Sequence, residues 1–580
     1  MSLNVRFDDF KENTGFRLLD PIKTIETSKL ECVSEIFEEV QELIVQNQYY
    51  CAGFVSYEAA PALDPSLRVM VSDSSIPLVW FTFFENFEEC HLVESTETFP
   101  FLNWELTTNR TSYENKFFQA KELIELGHTY QINLTSCYET SQLFDPYSLY
   151  KLLATNQDGR LNCFIETDTF AIASASPELF FKLQDNKIIC QPMKGTIERG
   201  RFLVEDNQRF NDLRHSAKDI SENLMIVDLI RNDVGKIAQI GSVAVRDAFH
   251  IEPLKTLWQM TSVVEGRITY QLKLFEIFQA LFPCGSITGV PKKSAMDIIY
   301  DLEDQGRGLY CGAIGFISPS NSPLETKFSV AIRTAVTDKI SGRSYYGSGG
   351  GITDGSEVTQ EYNELRSKSK ILEQPELPDG LFETFRFEPS LGFKNIDRHL
   401  ARLAFSMQYF RFQPLPTDIL DRLEEMSKSW SNTMRIRLEV SKSGEVTVTN
   451  NFLSSVTSYP NVAVDTNPIL STNILNFHKI TDRSMFDDRA KIFSQFDDVI
   501  LINEKDEITQ SLIANVAVKL EGKWFTPPIS CGLLPGIERQ RLIEKKTLFE
   551  RIIKVDELKT SSEIALVSSL RGWRKATLFI

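Results

Sequence analysis

Gln191-Pro192-Met193-Lys194-Gly195-Thr196, downstream of Ser176-Pro177-Glu178, is the stretch on which the reading of this chain turns. A lysine bracketed by Pro and Gly is predicted to sit in a turn that keeps it from sweeping through solvent. A carboxyl group is near enough in sequence to share its site. Burial would lower the lysine's pKa and make the amine a nucleophile. A surface lysine in a β-turn is the other reading these residues allow.

Outward from that stretch, the chain is 580 residues long, too long for one core, and two or three domains are expected. Its 42% hydrophobic and 24% charged content is that of a soluble globular protein. A net charge of -17 argues against nucleic acid or an anionic membrane surface as partner. An acidic protein that takes an anionic substrate needs local cations or a metal. The nine Cys form no CxxC pairs, so neither a zinc site nor a disulfide framework is indicated, and free thiols in a reducing cytosol are expected. The N-terminal residues lack an apolar run, and no 18-residue apolar stretch follows, so a cytoplasmic, non-membrane protein is expected.

Glu373-Gln374-Pro375-Glu376-Leu377-Pro378-Asp379-Gly380 would stop any regular element. It divides the chain into a domain at 1–372, a linker at 373–380 and a domain at 381–580. Upstream, strand-like runs (169–175, 187–191, 312–317, 328–336) mix with helical ones (113–126, 217–231, 272–281), which predicts α+β with large sheets.

Three carboxylates invite a metal. The run 216–233 places apolar side chains on most helical faces, which predicts burial and leaves Glu222 in need of a cation; a salt bridge to Lys218 or Arg231 would also serve. Glu361 and Glu364 share one helical face, opposite Val358, Tyr362, Leu365 and Leu372, and repel unless solvated or neutralised. Hard oxygen ligands suit Mg²⁺. For anions, Arg333 in the strand-like run 329–336 offers a bidentate fork, and Gly349-Gly350-Gly351 could converge backbone N–H groups as a nest.

A series of motifs now falls into place: Gly127-His128-Thr129-Tyr130-Gln131-Ile132-Asn133-Leu134-Thr135, Ser176-Pro177-Glu178, Pro192-Met193-Lys194-Gly195-Thr196 and Ser221-Glu222-Asn223-Leu224-Met225-Ile226-Val227-Asp228-Leu229. Phe282 to Lys292, Gly312-Ala313-Ile314-Gly315, Ala331-Ile332-Arg333-Thr334, Gly349-Gly350-Gly351 and Glu361-Tyr362-Asn363-Glu364 follow in the same order. Together they resemble the chorismate-utilising enzymes, which include anthranilate, isochorismate and aminodeoxychorismate synthases. The resemblance implies a β-sandwich with helices outside and magnesium on Glu222, Glu361 and Glu364. It also implies substrate contacts from Arg333, Thr288, Tyr310, Gly195, Thr196 and the three glycines. Lys194 resembles the aminodeoxychorismate synthase branch, since anthranilate synthases carry Ala there. It would add to chorismate at C2 while Glu178, as general acid, helps the C4 hydroxyl leave. Ammonia would then attack C4 and expel the lysine. Gln259 stands where many relatives have His and cannot shuttle a proton. No Cys lies in a Gly-x-Cys-x-Gly turn, so ammonia is expected from a separate glutamine amidotransferase.

From Leu381 the text changes. Leu381 to Arg386, Arg398-His399-Leu400-Ala401-Arg402-Leu403, His478-Lys479-Ile480-Thr481-Asp482-Arg483 and Leu534-Pro535-Gly536-Ile537 resemble the fold-type IV pyridoxal-phosphate enzymes. A smaller α/β domain is implied. Lys479 matches the Schiff-base lysine, Arg402 and the Ile537 N–H the phosphate contacts, and Gln510 the position of a Glu that protonates the pyridine nitrogen. Gln510 supplies no charge, a weaker electron sink that elimination tolerates better than transamination. Glu538 stands where Thr often helps bind phosphate. The implied function is a bifunctional enzyme making 4-aminobenzoate from chorismate. Two alternatives are a synthase with a non-catalytic second domain and an anthranilate synthase-type enzyme. Fold-type IV enzymes are commonly dimers, so a homodimer through this domain is an expectation too.

Overall fold

The structure, a computed structural model, describes residues 3–72, 75–94, 99–100, 102–255, 257–269, 272–319, 322–373, 378–410, 412–454 and 458–579. Within the expected linker, residues 374–377 lie outside the described ones, as do residues 1, 2 and 580 at the expected domain ends. Packing divides the chain into two compact units, Met1–Arg199 with Arg209–Pro375, and Gly200–Gln208 with Glu376–Ile580. Among the described residues, no helix is long and apolar enough to cross a membrane.

The first unit is a two-layered antiparallel β-sandwich with helices on its outer faces, as expected. Its strands alternate because a strand presents successive side chains to opposite sides. In Tyr50–Val55, Ala52 and Phe54 enter the core between the layers, while Cys51 and Val55 enter a second core under outer helices. In Leu161–Glu166, Cys163 and Ile165 join the inner core and Phe164 a third, outer one. Strands covered on both faces carry the near-continuous apolar runs seen in the sequence.

The strands that matter for the site are β1 (Gln131–Thr140), β2 (Phe170–Ser176), β3 (Leu179–Gln184), β4 (Met193–Glu198), β5 (Leu257–Arg267), β6 (Thr326–Val330), β7 (Thr334–Asp338) and β8 (Arg343–Ile352). Two helices complete the frame, α1 (Ala217–Gly235) and α2 (Val358–Ser367). β8 pairs with β1 from Ser344↔Thr140 to Ile352↔Ile132.

Four sequence expectations change here. The strand predicted over 328–336 is broken into β6 and β7, and Arg333 lies in the break at φ 52°, a left-handed conformation that costs a non-glycine residue energy. The Lys194 turn is instead the start of β4. Its register against β5 shifts between Met193 and Thr196, with Gly195 at φ +94°: a β-bulge. Gly349-Gly350-Gly351 is extended strand paired with β1, so its N–H groups alternate in direction and form no nest. Helix α1 buries one face (Asn223, Ile226, Val227, Ile230, Val234), while Leu224 is 50% exposed, so it is not apolar-covered all round.

The second unit holds a four-stranded antiparallel sheet and a mixed eight-stranded one with parallel pairings, each on its own core. Its site-forming elements are β9 (Gly380–Glu388), α3 (Ile396–Phe410), β10 (Met434–Ser441), β11 (Ile508–Ser511) and α4 (Ile537–Glu544).

Candidate functional site

A cavity of about 130 Å³ in the first unit gathers most of the residues singled out from sequence. Its lining includes Glu178, Lys194, Gly195, Thr196, Glu222, Tyr310, Arg333, Gly349, Gly351, Glu361 and Glu364. The bulge in β4 explains how Lys194 is aimed. A bulge re-points one side chain, and glycine suits position 195 because φ +94° strains a residue with a Cβ, which would also press on Asp219 and Met260 at 3.0 and 3.3 Å. The strand is fixed to α1 by Asn223, whose amide donates to Lys194 O (3.2 Å) and accepts from the Ser262 hydroxyl (2.6 Å).

Across the cavity, β8 shows why it carries glycines. A Cβ on Gly351 would stand 2.9 Å from Lys194 Nζ and 3.0 Å from Gln131 Nε2, and one on Gly350 would lie 3.0 Å from Glu361 Oε2. One on Gly347 would enter the Tyr310 ring at 2.1 Å. The glycines therefore make room for the amine, a carboxylate and an aromatic wall rather than cradling an anion.

Glu178 sits between β2 and β3 and is fully buried. Loss of hydration pushes its pKa up to about 7, against the opposing pull of the Ser286 hydroxyl, which donates to Oε1 at 2.5 Å, and of Lys194. A carboxyl able to keep its proton up to near neutrality thus lines the same cavity as a lysine, the pairing an acid-assisted substitution needs. Arg333 also lines the cavity, with its guanidinium donating to Lys368 O. Thr288 is a correction. It is buried outside the lining, its hydroxyl donating to Cys284 O and Gly285 O (3.0 and 3.3 Å), so it shapes the turn that carries Ser286 and does not face the cavity.

The three metal candidates line the cavity, but among the described residues no group of three His, Cys, Asp or Glu is close enough to hold an ion. Lysines stand among them instead. Lys218 Nζ lies 3.9 Å from Glu222 Oε1 and 3.7 Å from Glu361 Oε1; Lys368 Nζ lies 2.8 Å from Glu364 Oε1. Burial raises Glu222 and Glu361 above the usual carboxylate range, while Lys368 holds Glu364 below it. Mg²⁺ takes few protein carboxylates and completes its shell with water and substrate. Glu222 and Glu361, facing one point with their charge ill solvated, fit that role; Glu364 is already paired.

Ser286 and Gln131 have parts that their motifs did not assign, and Gln259, noted above only as unable to shuttle a proton, has a structural part. Ser286 lay inside a quoted motif without a role. Gln131 is wholly buried beside Gly351, and neither end of its amide has a partner. Gln259 donates to Pro177 O at 3.4 Å and leaves its own carbonyl unpaired. Their roles come from residues far apart in the chain.

The second unit has its own cavity, about 320 Å³, lined by Lys479, Arg402, Gln510, Gly536 and Ile537 among others. Loss of hydration lowers Lys479 to about 7, which Glu383 opposes and Arg402 assists. Arg402 gives Nε and one Nη to Glu383 (2.7 and 2.9 Å) and the other Nη to Pro535 O (2.8 Å). Burial alone would raise Glu383, but Arg402 and His399 keep it well below the carboxylate range. Helix α4 starts at the cavity with Gly536 as an N-cap that offers no side chain, leaving first-turn N–H groups for an anion. Gln510 accepts from Leu534 N–H at 3.0 Å, which engages its carbonyl and leaves its NH₂ as donor. Glu538 is turned to Arg541 (2.6 Å) and does not line the cavity. Arg435 and Arg437, unremarked in the sequence, share one face of β10 and also line it, as does Arg483, quoted above in a motif without a role of its own. A depressed lysine, an uncapped helix start and a strongly cationic wall suit pyridoxal phosphate.

Residues 5–374 match the family model for chorismate binding enzymes, and residues 380–579 that for class IV amino-transferases. The chain is 37% identical over 275 residues to aminodeoxychorismate synthase component 1 of Escherichia coli (strain K12), covering 47% of this chain and 60% of that protein. It is 35% identical over 264 residues to anthranilate synthase component 1 of Saccharolobus solfataricus, covering 46% and 62%. The alignments thus span less than two thirds of these relatives. Among solved structures, anthranilate synthase component I from Streptococcus pneumoniae matches with a TM-score of 0.54 at 22% identity, over 62% of this chain and 92% of that one, a likeness of fold.

Proposed function

The chain belongs to the chorismate-binding enzyme family, and from that premise we propose that its first unit aminates chorismate to 4-amino-4-deoxychorismate and its second releases pyruvate to give 4-aminobenzoate. The observation that carries the first half is Lys194, aimed by a bulge into the cavity that holds the buried acid Glu178. Lys194, once neutral, adds to the ring at C2 while Glu178 gives its proton to the departing C4 hydroxyl. Ammonia then bonds to C4, and the bond to Lys194 breaks. Arg333 supplies a planar cation for a substrate carboxylate. Magnesium, held by Glu222 and Glu361, would neutralise the ring carboxylate. Ammonia comes from a separate glutamine amidotransferase, in keeping with relatives named component 1.

In the second unit, pyridoxal phosphate would supply an electron sink once held by Lys479, Arg402 and the first-turn N–H groups of α4. Lys479, lowered to about 7 by burial, is able to take up and release a proton near neutrality. A weak sink suffices where loss of pyruvate creates an aromatic ring. One observation favours a second reading, a synthase with a non-catalytic second unit: Gln510 brings no charge to its cavity.

The test is to supply chorismate, ammonium, Mg²⁺ and pyridoxal phosphate to the full chain and identify products by mass. 4-Aminobenzoate with pyruvate supports the bifunctional reading, and accumulated aminodeoxychorismate the synthase alone. Anthranilate would refute both.

A further inference from the structure

Three lysines stand among the carboxylates of the first cavity, and they are not held alike. Lys368 is locked, 2.8 Å from Glu364 Oε1 and donating to Gly349 O at 2.7 Å. Lys194 sits against Gly351 in the room that glycine leaves. Lys218 is loose. Its ammonium is 3.9 Å from Glu222 and 3.7 Å from Glu361, too far for hydrogen bonds, and its side chain is 45% exposed.

The carboxylates it faces are not loose. Glu222 Oε1 accepts from the Thr353 hydroxyl (3.1 Å), and Glu361 Oε1 from the Ser356 hydroxyl (2.7 Å). Thr353 and Ser356 belong to the short connection between β8 and α2, and Ser356 Oγ also accepts from Thr353 N–H. One rigid loop thus fixes a carboxylate from each of two helices, with a weakly held monovalent cation between them.

We propose that Lys218 is a resident counter-cation that the divalent ion displaces. This deepens the reading of Glu222 and Glu361 as magnesium ligands and rests on it. In the metal-free enzyme the ammonium relieves repulsion between the two carboxylates and ties α1 to α2. A divalent ion would need oxygens at roughly 2 Å, inside the present separation, so it and the ammonium exclude each other. Because Lys218 is half exposed, it leaves by swinging into solvent, giving up only its weak hold on the two carboxylates. Metal affinity is therefore weakened by the work of expelling a like charge. It recovers when a dianionic substrate adds its own carboxylate.

The test uses the full chain without chorismate, with Mn²⁺ as probe and free Mn²⁺ read by electron paramagnetic resonance. Lys218→Met should bind Mn²⁺ about tenfold more tightly than the wild type, the scale of removing a unit charge near 4 Å from a partly solvated site. Lys218→Arg should stay near wild type, and Glu222→Gln should lose binding. In the absence of metal, Lys218→Met should melt below the wild type, and saturating Mn²⁺ should remove that difference. Unchanged or weaker binding by Lys218→Met, with Glu222→Gln defective, overturns the displacement alone. If Glu222→Gln binds as the wild type does, the carboxylates are not the metal site and both readings fall.

Discussion

Glu178 ties the proposed amination to pH. Burial raises it to about 7, whereas an unfolded glutamate titrates near ~4.3. The acid form needed for proton donation is present below the folded value and lost as pH rises through it. Amination should therefore fall on the alkaline side of about pH 7. The same shift contributes stability that is complete below about pH 4 and lost as pH rises toward 7. The Ser286 hydroxyl favours the charged form, so Ser286→Ala should move the alkaline limb of the rate up by about one pH unit. Comparing the two pH profiles at matched ammonium cancels the titration of ammonia; an unmoved limb would show that Glu178 is not the acid. At this scale the sequence was partly legible. Lys194 and Glu178 stood out because Pro, Gly and a nearby carboxyl are local signals. Ser286 and Gln131 did not, because the partner of Ser286 lies more than a hundred residues away and the unpaired amide of Gln131 is revealed only by packing; Lys218 was legible as a partner for Glu222 but not for Glu361.

Between residues and domains, strand β8 offers a controlled contrast. A methyl at Gly351 meets the far end of a flexible lysine, so Gly351→Ala should fold with little change in melting temperature. It should nonetheless lose roughly a hundredfold in amination, the scale of a misplacement near 1 Å. A methyl at Gly347 enters the Tyr310 ring, so Gly347→Ala should lower stability by about 1–3 kcal/mol in a thermal melt. Equal effects on folding would undo this account of the glycines. The loop behind Tyr310 depends on a buried pair. Arg307 holds Glu303 (2.8 Å) and donates to Ile287 O (2.9 Å) and Asn133 O (2.8 Å), tying the Ser286 turn to β1. Arg307→Met would leave the Glu303 charge buried without its cation, held by Thr135, a loss of about 3–5 kcal/mol by urea denaturation. The strand runs of this layer could be read from their apolar text, but the break at Arg333 and the bulge at Gly195 could not. Both obey cross-strand packing that overrides local propensity, and both carry cavity residues.

Each of the two compact units holds a lysine-centred cavity of its own, built wholly from its own residues. Although the chain carries a net charge of -17, both cavities are lined with cations: Lys194, Lys218, Arg333 and Lys368 in one, Lys479 with several arginines in the other. In the second cavity the cations stand with no carboxylate among the described lining residues, a local positive charge that composition alone concealed; in the first, carboxylates stand among them. If the units catalyse consecutive steps, each can be silenced without the other. Lys194→Ala should abolish consumption of chorismate yet still release pyruvate from supplied 4-amino-4-deoxychorismate. Lys479→Ala should consume chorismate at the wild-type rate, accumulate 4-amino-4-deoxychorismate, and fail to develop the visible absorbance that pyridoxal phosphate gives with the wild type. Mass detection of intermediate and product decides between the outcomes. Wild-type yields of 4-aminobenzoate from Lys479→Ala would exclude the second unit from the chemistry. Loss of both steps in either variant would mean instead that the two cavities do not act independently.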